Sequence, residues 1–180
     1  YSGCLCPAFF FSITCNPSRQ AGVYPVVGMT FVNSNQITSR TAPAAGNIIS
    51  TASDSLTAIE NDSCRLFLRP ETEIVLADPE SRSSAYTLKK GITHFSSTAS
   101  VALNSSLFKL EGRDVVFQAA VTAQCGWIQL YRGTLLVQTA GDTTTIRLKA
   151  GQTIEFQHDA AETRPLSADE SSALDSLERL

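Results

Sequence analysis

The feature that most constrains this chain is a series of short runs that alternate apolar and polar residues over residues 22–157, separated by Gly, Pro, Asn, Asp and Ser. Alternation with a period of two places the apolar side chains on one face of a β-strand. The apolar pairs with this spacing are Leu66 and Leu68, Ile74 and Leu76, Val115 and Phe117, Leu135 and Val137, Ile146 and Leu148, and Ile154 and Phe156. The pattern predicts an all-β domain over 22–157.

A second pattern is a glycine that follows a leucine by two or three residues, at intervals near 20. These glycines are Gly91, Gly112, Gly133 and Gly151, spaced 21, 21 and 18 residues apart. Such a period indicates a repeated unit of about two strands, whose neighbours bury each other's apolar faces. We expect the four glycines to lie in turns with positive φ, which a residue with a Cβ resists. A β-solenoid and a rolled β-sandwich of roughly 20-residue repeats both satisfy the pattern, and the choice between them stays open.

The two ends of the chain differ from this body. Residues 1–21 form an N-terminal arm rich in cysteine and phenylalanine, and residues 158–180 are expected to be a linker followed by a short helix. Ser167 followed by Glu170 matches a capping box, the signature of a helix start. Leucines spaced by three then follow on one side of that helix. A helix that caps the β body and a frayed tail both remain open, because a helix this short is marginal in water by itself.

Three of the five cysteines lie in the arm, at Cys4, Cys6 and Cys15. Their density favours an oxidising compartment and a local bridge between Cys6 and Cys15. "SGC" at residues 2–4 resembles the end of a bacterial lipoprotein box, which makes Cys4 a candidate for lipid attachment. No second Cys or His pair follows at ligand spacing, so we predict no metal site.

The other two cysteines, Cys64 and Cys125, lie in strand-like runs of the β body. Cys64 shares its alternation with Leu66 and Leu68 and is therefore expected to point inward. A Cys64–Cys125 bridge would close a loop of about 60 residues and stabilise the fold by about 4 kcal/mol. Two unlinked buried thiols are the alternative, and both are kept open.

The sequence carries no pattern of a catalytic or cofactor-binding protein. It has no phosphate-binding glycine loop, no Walker lysine and no calcium-loop spacing. The two histidines, His94 and His158, lie far from any serine elbow, and His94 alternates with Ile92 and Ser96 as a strand residue does. The 14 Lys and Arg residues are scattered in a chain of net charge −3, which argues against nucleic-acid binding. We therefore predict no catalytic residues and no cofactor.

The order of several segments resembles the FecR domain of bacterial envelope proteins. The best-matched parts are "GNIISTASDS" at 46–55, "LFLRPETEI" at 66–74 and the Leu-x-x-Gly step before the later strands. The resemblance covers about three quarters of the chain. It implies an all-β, solenoid-like domain outside the cytoplasm that binds other proteins and has no catalytic residues. In the best-known members this domain belongs to a membrane-spanning regulator that receives a signal from an outer-membrane transporter and controls a sigma factor.

The sequence shows neither a cytoplasmic anti-sigma segment nor a transmembrane helix, so the expected function is a non-enzymatic interaction module. We predict an accessory or structural subunit of a bacterial envelope or extracellular assembly, periplasmic or secreted. Its partners are other envelope proteins or copies of itself. Docking is expected through the β-sheet edges and through the arm, where Phe9, Phe10 and Phe11 cannot all be buried on one strand face and could also anchor the chain to a membrane surface. A periplasmic sensory domain of a FecR-type anti-sigma system and a polysaccharide-binding module are the alternatives.

Overall fold

The structure, a computed structural model, describes residues 21–78, 83–157 and 160–170. These residues form one open sheet of 14 strands, and every strand pairing in it is antiparallel. A short helix begins at residue 168. The all-β prediction is confirmed. The strands are β1 Gly22–Val27, β2 Thr30–Val32, β3 Asn35–Ile37, β4 Ile48–Thr51, β5 Leu56–Glu60, β6 Cys64–Leu68, β7 Glu73–Asp78, β8 Ser83–Asn104, β9 Phe108–Val121, β10 Cys125–Arg132, β11 Thr134–Thr139, β12 Thr145–Lys149, β13 Gln152–Gln157 and β14 Ala160–Pro165.

Two long strands, β8 and β9, organise the sheet. They pair with each other, and each changes its other partner along its length. On its second edge β8 pairs first with β7 and then with β6, whereas β9 pairs first with β11 and then with β10. The sheet therefore branches into several hairpins that share the same two central strands.

The sheet curls around one apolar core. Phe108 at the start of β9 stacks on Phe156 of β13 with ring centroids 5.0 Å apart. Phe156 lies level with Gly126, which pairs with Val121 at the far end of β9. In a flat sheet, 13 residues of strand would separate these positions by about 43 Å. The stacking of Phe108 on Phe156 is possible only because the sheet folds back over its own apolar face.

Each long strand changes which residues point inward, and a residue with positive φ lies at the change. In β8 the core side chains before Gly91 are at even positions, Tyr86 and Leu88. After Gly91, which has φ of 96°, they are at odd positions, such as Phe95. In β9 the core side chains are at even positions up to Leu110 and at odd positions from Val115, with Asp114 at φ 50° between them. Such residues act as β-bulges, which bend a strand and shift its alternation by one.

The glycine prediction therefore needs correction at two of its four positions. Gly133 and Gly151 lie at strand connections, with φ of 88° and 81°. Gly91 and Gly112 lie inside β8 and β9, and Gly112 does not have positive φ. A Cβ on Gly112 would lie 2.5 Å from Leu135 Cδ2, so this glycine makes room for a core side chain and not for a turn.

The solenoid form of the fold prediction is not confirmed. Coils of a parallel β-helix pair in parallel, whereas every pairing among the described strands is antiparallel. The predicted end of the β body also moves, because β14 continues the sheet through Pro165 where a linker was expected. The arm at 1–20, His158 and the leucines after residue 170 lie outside the described residues. The described part of the chain contains no helix long and apolar enough to cross a membrane.

Candidate functional site

The outward side of the sheet has two regions of opposite character. The first is a row of polar side chains at matching register positions on five neighbouring strands, which we call the polar row. Its members are His94 of β8, Gln118 of β9, Gln129 of β10, Thr153 of β13 and Arg164 of β14. The first four are buried although they point away from the core.

His94 is the most chemically unusual residue of the polar row. Its ring lies 6.5 Å from the rings of Phe67 and Tyr131, and only 3 % of the residue is exposed. Burial, followed by the nearby charge of Arg69, lowers the pKa of His94 from 6.5 to about 4. The imidazole is therefore neutral at pH 7, and its Nδ1 atom has no hydrogen-bond partner among the described residues.

Further along the polar row, Gln129 and Arg164 bind Glu170, which lies at the start of the C-terminal helix. Tyr131 donates a hydrogen bond to Gln129 Oε1 (2.9 Å), and Gln129 Nε2 donates to Glu170 Oε1 (2.7 Å). Arg164 donates to both oxygens of Glu170 and also to Glu155. Charge-assisted bonds of this kind are the stronger class. The hydrogen bonds from Arg164 hold the pKa of Glu170 at about 2.

The predicted capping box is present at this point. Ser167 N donates to Glu170 Oε2 (2.7 Å), and Glu170 N donates to Ser167 Oγ (3.3 Å). The carboxylate of Glu170 thus caps the helix and binds the sheet at the same time. We conclude that the polar row is a covered surface, which holds the C-terminal segment in place.

The second region is open and positively charged. It is formed by the outward side chains of residues 100–104 of β8, residues 109–113 of β9, and all of β11 and β12, and we call it the basic face. Inward positions on the same strands carry Val101, Leu110, Leu135 and Leu148, which fixes the intervening residues on the outside. The charged residues of the basic face are Lys109, Glu111, Arg113, Arg147 and Lys149.

The charge of the basic face is opposite in sign to that of the whole chain. Four cations and one carboxylate give it a net charge of +3, whereas the whole chain carries −3. All five charged residues are exposed, and none forms an ion pair with any described residue. Concentrated charge of one sign raises the local concentration of oppositely charged partners.

The basic face also contains an apolar contact point. A shallow cavity of about 610 Å³ lies across it, lined by Arg113, Leu136 and Arg147 among others. Leu136 lies between Glu111 and Arg147 in the cross-strand register and is 43 % exposed, one of few large apolar side chains in the described residues that are so exposed. Charged groups surrounding an exposed leucine are typical of a protein-binding surface.

The basic face ends at a free strand edge. Among the described residues β12 pairs with β11 alone. Lys149 N donates to Gln152 Oε1 (2.8 Å), so this N–H points away from β11. In an antiparallel pair, the backbone N–H and C=O groups of every second residue point away from the partner strand. Arg147 and Thr145 lie two and four residues before Lys149, so their N–H and C=O groups also point away from β11. They are available to pair with another strand.

The predicted cysteine sites are only partly described. Cys64 is buried and Cys125 is exposed, and both are free thiols in this structure. No bridge joins them here, and the alternative of two unlinked buried thiols needs correction at Cys125, which is not buried. Tyr86 donates a hydrogen bond to Cys64 Sγ (3.7 Å), and burial raises the pKa of this thiol. Cys4, Cys6, Cys15 and the phenylalanines Phe9, Phe10 and Phe11 lie outside the described residues.

Other predicted features are placed as follows. His94 lines one face of a strand, as expected, but that face is the covered outer side. Asp114 lies within β9 and pairs with Arg132 at 3.2 Å. No group of three or more His, Cys, Asp or Glu residues that could hold a metal ion is present in the described ranges.

Comparison with known proteins identifies the fold. No protein-family model matches the sequence, and no curated protein matches it. Two crystal structures, each of a putative anti-sigma factor from Parabacteroides distasonis ATCC 8503, resemble this structure with TM-scores of 0.61 and 0.60 at 11 % sequence identity. The matches cover 70 % and 71 % of this chain but only 62 % and 63 % of those chains. Over the matched part, this chain therefore shares the fold of these two structures.

Proposed function

We propose that this chain is a non-catalytic, protein-binding β domain of the FecR type, located in the periplasm or outside the cell, that serves as the sensory part of an anti-sigma regulatory system. The basic face is the surface through which it binds its protein partner. The observation that carries this proposal is the fold shared with putative anti-sigma factors over 70 % of the chain.

The two outer regions support a binding role. The polar row is already occupied by the chain's own C-terminal segment, through Gln129, Arg164 and Glu170. The basic face has four exposed cations and an exposed Leu136, with no described residue covering them. Concentrated positive charge on one face raises the local concentration of a negatively charged partner and steers its approach.

The comparison favours the sensory role over the structural-subunit role that was our first expectation from the sequence. Both neighbouring structures are of putative anti-sigma factors. The subunit role rests on the arm at 1–20, including a membrane anchor at Cys4, and it remains a prediction.

The test is a chromosomal replacement in the organism that encodes the chain. One strain lacks the codons for residues 22–165, and a second carries Arg113→Glu, Arg147→Glu and Lys149→Glu on the basic face. A matched control carries Lys89→Glu and Lys90→Glu, which reverse exposed charges about ten residues away along β8. Transcript levels are then compared between strains, with surface structures inspected in parallel.

The sensory role predicts that the deletion and the basic-face strain share one altered set of transcripts, including a sigma factor's targets, while the control strain matches the parent. Unchanged transcripts in the deletion strain would contradict the sensory role. Unchanged transcripts together with a lost surface structure would establish the subunit role in its place.

A further inference from the structure

We propose that the basic face and the free edge of β12 together bind an extended acidic segment of a partner protein, which joins the sheet as an additional strand beside β12. This inference names the partner chemistry and the binding mode, and it rests on the proposed binding role of the basic face.

The first argument is hydrogen bonding at the edge. Thr145 and Arg147 present backbone N–H and C=O groups away from β11, as the Lys149 to Gln152 bond indicates. A row of unpaired backbone groups is a template for an added strand. Addition of an extended peptide to a sheet edge is a recurring mode of recognition, in which backbone bonds give affinity and alternate side chains give specificity.

The second argument is the charge pattern beside that edge. Arg147 and Lys149 are two residues apart on the last strand and both face outward. An added strand has its side chains alternating with the same period, so every second residue would lie directly beside one of these cations. Opposite charges in such cross-strand positions stabilise pairing, and like charges oppose it.

The third argument is specificity. Exposed cations at a sheet edge prevent indiscriminate strand addition, because a neutral or basic strand would leave them unpaired or repelled. Lys109 and Arg113, two strands further in, extend the positive potential across the basic face. The edge is therefore closed to most strands and selective for one with acidic residues at alternate positions.

The experiment is a titration of the full chain with synthetic peptides of about nine residues, the length of an ordinary strand. The test peptide alternates Glu and Val. One control replaces every Glu with Lys, and a second N-methylates the backbone nitrogens on one edge, which removes strand pairing and keeps the charge. The chain is used unchanged, as Arg147→Glu with Lys149→Glu, and as the matched control Lys89→Glu with Lys90→Glu.

The proposal predicts binding of the acidic peptide that weakens at least about tenfold on N-methylation and at least about tenfold in the Arg147→Glu, Lys149→Glu variant. The Lys89→Glu, Lys90→Glu variant should bind within about twofold of the unchanged chain, and the Lys peptide should not bind. If the N-methylated peptide bound as tightly as the unmodified acidic peptide, strand addition would be overturned in favour of simple anion binding. Displacement of the bound acidic peptide by a sulfated polysaccharide as readily as by more of the same peptide would have the same consequence.

Absence of any peptide binding would also overturn the inference. It would leave the proposed function intact if the chromosomal basic-face strain still shows altered transcripts. The two failures are therefore distinguishable.

Discussion

The polar row and the basic face share the long strands β8 and β9 and the outward side of the sheet, yet one is mostly buried and the other is exposed and positively charged. Along residues 92–96, β8 is flanked by β6 and β9, and the ring of buried His94 lies 6.5 Å from the rings of Phe67 and Tyr131. Along residues 100–104 the same strand has β9 on one side and exposed cations beyond it. One region contacts the chain's own C-terminal segment, and the other is the surface that we propose for partner binding.

Buried neutral residues and exposed charged residues therefore lie at different positions along the long strands. Neutral His94, Gln118 and Thr153 tolerate burial, although each has a polar atom that no residue in the described ranges hydrogen-bonds. Lys109, Arg113 and Arg147 would not tolerate burial in the same way, since burying an unpaired charge costs far more than burying an amide or a hydroxyl. The covered region should therefore control stability, and the basic face should control binding.

The largest expected effect on the free energy of unfolding is at Gly91, which lies in β8 just before the buried residues of the polar row. A Cβ on Gly91 would lie 2.4 Å from Thr72 Oγ1 and 2.5 Å from Thr72 Cα, and φ is 96°. We expect Gly91→Ala to lower the free energy of unfolding by about 4 kcal/mol, through strain and overpacking together. Gly151→Ala is the matched control. It has positive φ but no atom within 4 Å, so it should cost about 1 kcal/mol. Urea unfolding measures both, and equal losses would contradict this account.

The second effect is a pH dependence that belongs to His94. The folded pKa is about 4 and the ordinary value is 6.5, so as pH falls below 6.5 the unfolded chain takes up a proton that the folded chain does not. Proton uptake by the unfolded state lowers stability, progressively from pH 6.5 to about 4. By pH 5 the loss should reach about 2 kcal/mol.

His94→Leu should remove this component. Urea unfolding at pH 7.5 and pH 5 should show a loss on acidification that is smaller by about 2 kcal/mol in the variant than in the unchanged chain. The carboxylates that titrate in this range are common to both proteins and cancel in the difference. An identical loss in the two proteins would show that His94 is not buried in its neutral form.

The third effect concerns the contact between Glu170 and the polar row. Glu170→Ala removes the capping box and leaves Gln129 Nε2 without its acceptor, which should cost about 1 kcal/mol, since Glu170 and Arg164 are partly exposed. Glu170→Gln keeps the cap and should cost less. Hydrogen exchange of the β13 and β14 amides should quicken in the Ala variant. Because the pKa of Glu170 is about 2, this contribution is complete above pH 4.5 and is lost as pH falls toward 2.

The smallest effect on stability is expected on the basic face. Arg147→Glu together with Lys149→Glu should change the free energy of unfolding by less than about 0.5 kcal/mol, because both side chains are exposed and unpaired among the described residues. Thermal unfolding measures it. A loss comparable to that of Gly91→Ala would mean that these cations hold the fold together, and the contrast between the two regions would fail.

The strands were predictable from the sequence because their apolar residues alternate. Leu66, Leu68, Ile74 and Leu76 are all buried in the core, and Cys64 points inward with them as expected. The capping box of Ser167 and Glu170 was likewise predictable, since it depends on residues three apart. The strands and the capping box depend on residues that are close together in the sequence, so the sequence alone predicts them.

The long-range features were not predictable in the same way. The change of alternation at Gly91 and Asp114 depends on bulges that alternation alone does not mark, and the 21-residue spacing of glycines suggested turns where β8 and β9 continue. Phe67 and Gln118, the cross-strand neighbours of His94, are 27 and 24 positions away from it in the sequence. The hydrogen bond from Gln129 to Glu170 joins residues 41 positions apart.

The basic face was missed for the same reason. Lys109, Arg113, Arg147 and Lys149 are scattered along the chain, and only the pairing of β9, β11 and β12 brings them together. Alternation was a usable signal for three of them, because Lys109 lies between the core residues Phe108 and Leu110, and Arg147 and Lys149 flank Leu148. The order of the strands was the missing information.

The most direct test of the division between the two regions is hydrogen exchange of the full chain, followed residue by residue, with and without a saturating amount of the alternating Glu and Val peptide. The account predicts slower exchange at the Thr145 and Arg147 amides, which face the free edge of β12, and unchanged exchange in β13 and β14. Protection in β13 and β14, or bound peptide with no protection in β12, would contradict it.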